Sequence, residues 1–537
     1  MAAMRPSLRP LLLLPLTACR AEIPPLPSTD GSVRAAQETA AALLRADPGS
    51  VSLLDLARHA ERLDRRYDER CQWHGITFSP RRAHPDDPEP TLFHRGGDAA
   101  LFTGFALATA VFRFSVTRSD GDLDRVVREI GGLHLLTHAS GTPGVLVRCA
   151  ISWEERSRWG YPERWRGRQW PEGPELRHDR PGPYLDWSPD GLPDVLASRG
   201  LAPLRERSPP TLPRLLFYAR ATRDQLTGVV LGLAAAWTGL DPGRPGLSPE
   251  QRARIAAART IVGGIARDLL DRMVADARAR GRARPARACA SVRDALERLD
   301  LRLRDHRGAA GTFANDVSGR LKLALLALNV AVLSEEAARA EGPACAALAQ
   351  RRDELAGAYD RAWRGCIRPG LDAFKNRFGR SYFRWNLRCT QTYTLWLLER
   401  DPGRRAQLLD YAERAEWRWV RDDGNVWFTF QRAVMRGGAA ASPSDPAFAA
   451  ALENLRALSL RPARSFSSPL HGTDTRGEPV PAHLRKPAID FLWQHAPSTV
   501  GGEDGDPPDV SGLDESTGQS FLLPYWLGRA EGLLEAG

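Results

Sequence analysis

Lysine is almost missing from this chain of 537 residues: Lys322, Lys375 and Lys486 are the only three, so 72 of its 75 basic residues are arginine. Against 65 acidic residues the formal net charge is +10. A skew toward arginine of this kind reflects codon usage in a GC-rich genome. Nucleic-acid binding would need the cations gathered into a stripe, and here they are spread along helical segments, so no nucleic acid is expected as a partner. Strand-type alternation is scarce. No Cys-x-x-Cys pair is present, which argues against a structural zinc or a thioredoxin-like site. Phosphate-binding Walker loops, a dinucleotide glycine fingerprint on a strand and a Gly-x-Ser-x-Gly elbow are also lacking, so nucleotide-driven and serine-esterase chemistry are excluded and neither cofactor nor metal is expected. What is present is ordinary globular composition, 42% hydrophobic and 26% charged, in a chain long enough for two or three domains or one large one.

The N-terminus carries Arg5 and Arg9, the apolar run Leu11 to Leu16, and then Leu16-Thr17-Ala18-Cys19. This resembles a bacterial lipoprotein signal, with residues 1–18 removed and Cys19 lipidated. Residues 19–32, rich in proline, would form an extended tether. No later stretch reads as long and apolar enough to span a bilayer, so the membrane contact is expected through the lipid anchor alone, and Arg20 after the cysteine leans toward the outer membrane. Export makes the other cysteines an even set of six, Cys71, Cys149, Cys289, Cys345, Cys366 and Cys389, with up to three disulfides. Cys366 with Cys389 and Cys289 with Cys345 are the pairs to inspect first.

Two kinds of helix take turns along the rest. The segment from Asp98 to Thr117 is apolar all round, whereas Asp122 to Thr137 is apolar on one side only, as expected of an inner helix followed by an outer one. The alternation recurs at Leu226 to Trp237 and Pro249 to Val274, at Leu321 to Leu333 and Ala344 to Trp363, and at Trp385 to Leu398 and Ala406 to Val420. Residues 33–45, 51–67, 446–458 and 521–534 supply further helices. The reading is all-α, one domain over 33–537: an (α/α)6 toroid of helical hairpins, with a long aromatic-rich loop over 141–221 above its mouth. The alternative is a pair of unrelated helical bundles.

Three inner helices open on a similar pattern, Asp98 to Thr103-Gly104, Asp224 to Thr227-Gly228 and Asp316 to Ser318-Gly319. An aspartate there can cap free backbone N–H groups, which is the plain explanation for all three. Inner helices of a toroid also aim their N-terminal ends at one mouth, so the three carboxylates could converge there. The glycines would let helices or a ligand approach closely.

Gly97-Asp98 through Leu101-Phe102-Thr103-Gly104, Phe112 to Thr117, Gly132-Leu133-His134 and Ser140 to Arg148, with Asp490 to Gln494 and Phe521 to Arg529, resemble the six-hairpin glycosidase superfamily, in particular its poorly characterised exported bacterial branch. The resemblance runs from about residue 90 onward. It implies the toroid and a carbohydrate-active ancestry, and it leaves the reaction open.

Five of the fifteen tryptophans, Trp153, Trp159, Trp165, Trp170 and Trp187, fall between Ser152 and Pro189. Flat aromatic faces pack on sugar rings while arginines and carboxylates bond their hydroxyl or uronate groups, so this loop suits a glycan or polysaccharide cleft; the alternatives are a lid burying its own tryptophans or a partner-binding surface. Glycoside hydrolysis needs two carboxylates, for which Asp98, Asp224 and Asp316 are the candidates, with Glu154, Glu155, Asp186 and Asp190 in reserve. A polysaccharide lyase would need a His or Tyr base and an Arg for the uronate: His94, Arg148, Tyr218 or Tyr525. His134 and His138 lack the glutamate of a zinc protease motif, and Asn386 reads as a helix cap. The expected function is therefore an exported lipoprotein with a glycoside hydrolase or polysaccharide lyase-like toroid. The competing functions are a non-catalytic glycan- or protein-binding lipoprotein, or a hollow toroid holding an apolar ligand.

Overall fold

The computed structural model describes residues 51–84, 87–94, 96–159, 185–187, 192–193, 195–201, 211–212, 214–283, 318–367, 382–438, 444–459 and 513–534. Cys19, Trp165, Trp170, Asp190, Cys289 and Asp316, and with them the signal and tether, lie outside this set. The described chain is predominantly helical, as the alternation of apolar and one-sided segments predicts, and its strands are only two to four residues long.

Helix α1 (Leu53–Arg70) starts on a capping box in which Ser52 and Asp55 satisfy each other's backbone N–H groups. Four short strands follow, β1 (Gln72–Trp73), β2 (Ile76–Thr77), β3 (Pro80–Arg81) and β4 (Leu92–Phe93), paired β1 with β2 and β3 with β4. The apolar helix α2 (Ala99–Thr117) and its one-sided partner α3 (Asp120–His138) match the expected inner and outer pair to within two residues. Helix α2 is in fact long and apolar enough to cross a bilayer, contrary to expectation, but most of it is buried by its neighbours.

The segment read as a long irregular loop holds regular structure. Strand β5 (Cys149–Ser152), β6 (Leu185–Trp187) and, after a short hairpin β7 (Leu192–Pro193) and β8 (Thr211–Leu212) that brackets the four-residue helix α4 (Val195–Ser198), β9 (Leu215–Tyr218) build an antiparallel sheet in the order β5-β9-β6. Cys149, Ala150, Ile151 and Leu215 to Phe217 are buried, so β5 and β9 show the unbroken apolar runs of a strand covered on both faces rather than alternation.

The remaining helices are α5 (Arg223–Gly239), α6 (Pro249–Ala283), α7 (Gly319–Arg339), α8 (Gly342–Cys366), α9 (Tyr382–Leu398), α10 (Pro402–Tyr411), α11 (Val426–Met435), α12 (Pro446–Ser459) and α13 (Gln519–Ala530). Helix α10 passes into a π-helical turn, Ala412–Glu416, and a 3-10 turn, Trp417–Trp419, so the single helix expected over 406–420 is broken. Helix α11 was not anticipated. In contact order, α2 packs on α5, α5 on α7 and α9, α7 on α9, α9 on α11, α11 on α13 and α13 back on α2, while α3, α6, α8, α10 and α12 each pack on the helix before them in the chain.

The α2–α5 contact is the tightest. A Cβ on Gly104 would lie 2.0 Å from the Gly228 carbonyl, and one on Gly228 would lie 2.2 Å from the Leu101 carbonyl oxygen. Backbone therefore touches backbone, which any side chain at either position would prevent. Gly232 repeats the contact against Gly104 and Gly239 meets Val111, so the two helices run parallel and their N-terminal ends lie side by side. The close approach anticipated at these glycines is thus made by a helix.

Cys71, Cys149, Cys345, Cys366 and Cys389 are reduced thiols. Of the two pairs to inspect first, Cys366 and Cys389 are therefore not crosslinked, and Cys289, the possible partner of Cys345, lies outside the described residues. Cys389 belongs to the packed inner helix α9 and Cys366 to the last turn of α8, where helix packing rather than a crosslink holds the chain.

Candidate functional site

The side-by-side helix starts bring Asp98 and Asp224 together. Asp98 stands at the N-cap position of α2, yet its side chain makes no capping hydrogen bond. Its Oδ1 instead accepts from the Gln225 amide at 2.7 Å. Asp224, one turn-position into α5, is not the cap either: Gln225 folds back so that its Oε1 accepts from the Thr222 N–H at 2.7 Å and from the Thr222 hydroxyl at 2.6 Å. Gln225 thus closes the helix start and holds Asp98 at once. The capping explanation for these two aspartates fails. At the third helix start the cap is Ser318, whose hydroxyl accepts from Leu321 N–H.

Asp98 is exposed as a residue, yet the protein crowded around its carboxyl displaces bulk water and raises it above the usual range. The Arg148 guanidinium, the Gln225 hydrogen bond and His94 pull the other way. Asp224 is raised by burial and then by the negative charge of Asp98, against the pull of Arg223 and Arg148. Two carboxyls that sense each other titrate as a pair, and the one with more opposing charge and hydrogen bonding, Asp98, gives up its proton first.

Arg148 precedes β5. Its Nε donates to the Arg220 carbonyl and its Nη1 to the Gly97 carbonyl, both at 3.2 Å, and its guanidinium lies 5.6 Å from the centre of the Tyr218 ring. Its own carbonyl accepts from the Ala100 N–H at 2.8 Å, a first-turn donor of α2, so the sheet is stitched to the helix start beside Asp98. His94 follows β4 and is partly exposed; its Nδ1 lies 3.3 Å from Oδ2 of the buried Asp514, which Arg81 also reaches at 2.7 Å. Asp514 and Gln225 were both missed from sequence. A glutamine three residues after a threonine does carry the capping-box spacing, a signal that could have found Gln225. Nothing local marks Asp514, which arrives through pairing of Arg82 N–H with Leu513 and of Glu515 N–H with Pro80.

The other expected residues fall elsewhere. Trp159 is fully buried against Phe78, with Gly96 beneath it, and belongs to the main hydrophobic core, so it is not open to a ligand. Trp153 is half-buried, with Arg156 at 4.4 Å and Arg214 at 5.3 Å from its ring centre. Trp187 and Asp186 are on β6, paired with Leu216 and Phe217 of β9. Glu155 accepts from Trp73 and Ser152, and Glu154 is exposed. Tyr525 is buried on α13 between Phe521 and Trp526 with its hydroxyl on Arg529. Its neighbour Trp526 lies against Arg113, about 22 Å along α2 from Asp98 by helical rise, so Tyr525 does not join the site.

His138 bonds the His134 carbonyl at 2.9 Å and Asp268 at 3.1 Å, tying α3 to α6. Asn386 sits inside α9, fully buried, and is not a cap. No protein-family model matches the chain, and no curated protein and no solved structure matches it either.

Proposed function

We propose that this chain is an exported, lipid-anchored α/α toroid that hydrolyses a glycan at the cell envelope, with Asp98 and Asp224 as its carboxylate pair. The observation that carries the reading is the convergence of these two carboxyls at adjoining helix starts, neither of them spent on capping. The toroid is supported by the circuit of contacts from α2 through α5, α7, α9, α11 and α13 back to α2, with the one-sided helices packed outside it. The anchor rests on the Leu16-Thr17-Ala18-Cys19 signal, with Cys19 as the lipidated residue.

Glycoside hydrolysis asks one carboxyl to protonate the leaving oxygen and the other to activate water or attack the anomeric carbon. Asp224, whose proton is retained by burial and by the charge of Asp98, suits the acid. Asp98, held by Gln225 and faced by Arg148 and His94, suits the ionised partner. After bond cleavage the acid regains its proton from the water that supplies the hydroxyl.

Reducing-end release from a panel of envelope polysaccharides tests this. Asp98→Asn and Asp224→Asn should each lower release by roughly 10²–10⁴-fold while glycan binding persists. Full release by both variants would remove the carboxylates from the chemistry. Binding without release by the wild type would favour a non-catalytic glycan- or protein-binding lipoprotein.

A further inference from the structure

Among the described residues many buried or half-buried arginines end on a carboxylate: Arg113 and Arg125 on Asp64, Arg259 on Glu335, Arg267 on Glu336, Arg432 on Glu413. Arg148 does not. Its Nε and Nη1 end on backbone carbonyls, which fix the guanidinium plane without cancelling its charge, and Nη2 is left over. It is near enough to Asp98 and Asp224 to depress both carboxyls, yet it forms an ion pair with neither. Arg223, partly exposed at the start of α5, acts on Asp224 in the same way. Opposite these stand Asp98, the ionised partner, and Asp224, which keeps its proton, so that Arg148 and Arg223 face a single carboxylate charge that Gln225, a neutral amide, holds.

From this we infer that the glycan is anionic, and that a sugar carboxylate or sulfate group docks on Arg148 beside the Asp98–Asp224 pair. The inference rests on the glycan reading of that site but not on hydrolysis, since a docked anion needs only the guanidinium. A guanidinium whose plane is fixed at Nε and Nη1 and whose Nη2 is left over can give an oxyanion a charge-assisted hydrogen bond, and half-burial between helix and sheet strengthens the attraction relative to open solvent. The same charge balance disfavours a neutral glycan, which would leave Arg148 desolvated and unmatched.

Binding isotherms with three oligosaccharide sets of equal length, uronate-containing, sulfated and neutral, test it on the full chain carrying Asp224→Asn so that turnover does not interfere. Wild-type Arg148 should favour at least one anionic set over the neutral set by tenfold or more, with the preference shrinking as salt rises. Arg148→Gln, whose amide reaches the position of the arginine Nε and can still donate to the Arg220 carbonyl, should lower anionic binding by tenfold or more and neutral binding by far less, so that the preference disappears; whichever anionic set loses more identifies carboxylate or sulfate. Equal binding of neutral and anionic sets overturns the inference even if neutral glycans are cleaved. Anionic binding lost with Arg148→Gln, in a wild type that cleaves nothing, would sustain the inference and remove the hydrolase.

Discussion

Two carboxylate clusters lie toward opposite ends of α2, and they are built in opposite ways. Around Asp64, Arg113 and Arg125 bind the carboxylate directly, the Trp526 indole donates to it at 3.0 Å, Arg113 goes on to Asp122 at 2.6 Å, and Arg125 and Arg128 share Asp68. Every charge there is consumed in tying α1, α2, α3 and α13 together. Around Asp98 the carboxyl is bonded by a neutral amide, the nearest arginine by neutral carbonyls, and charges of both signs are left uncancelled. The first arrangement is what stability favours, since a buried charge is tolerable only when matched. Leaving the second unmatched costs stability, which marks it as the place where something else completes the pairing.

The contrast can be broken hardest at the glycines that create it. Gly104→Val would drive side-chain atoms into the Gly228 carbonyl and should cost about 3 kcal/mol or more in denaturant unfolding, or prevent folding, because rigid backbone lies on the other side. Removing the matched carboxylate comes next: Asp64→Ala takes one of two carboxylates from each of Arg113 and Arg125 and the acceptor from the Trp526 indole, and should cost about 2–3 kcal/mol, read from the urea midpoint. Asp224→Asn, measured the same way, should change stability by less than about 1 kcal/mol or raise it, since a neutral amide replaces a carboxyl that burial already penalises.

A third cluster sharpens the comparison through pH. Glu129 is fully buried, accepts from the Tyr67 hydroxyl at 3.1 Å, and has its carboxyl pushed up to about 7 from 4.5, chiefly by burial. Between those values the folded state holds a proton that the unfolded chain has released, so stability falls as pH rises from about 4.5 to 7. The loss should be on the order of 2–3 kcal/mol, and Glu129→Gln should flatten that part of the stability–pH profile.

The helices were legible because burial on all sides or on one side leaves a direct imprint on composition, as in α2 against α3. Asp98 and Asp224 were legible as residues at helix starts, and Gly104 and Gly228 as points of close approach. Their roles were not. Whether a helix-start aspartate caps its own helix depends on where a neighbouring side chain reaches, and here Gln225 of another helix claims Asp98. The sheet was hidden because β5 and β9 are buried on both faces and lose the two-residue period. Helix α11 escaped because its ten residues are too few to show a helical period after the broken turn at 412–419. The aromatic segment misled through composition: Trp159 belongs to the main core, and Trp153 is covered by arginine. Asp514 could not be read locally at all, since its meaning comes from Arg81 and His94.

That last contact has a consequence in time. Arg81 and Asp514 are 433 positions apart. A ribosome adding about 5–20 residues per second needs about 20–90 s to go from one to the other. During that interval the nascent chain carries His94, Asp98 and Asp224 but not the carboxylate that fixes the histidine or the strand-like pairing that secures β3. The cluster at the start of α2 therefore remains unfinished through most of synthesis, and a product terminated before residue 514 would hold Asp98 and Asp224 without their completed surroundings.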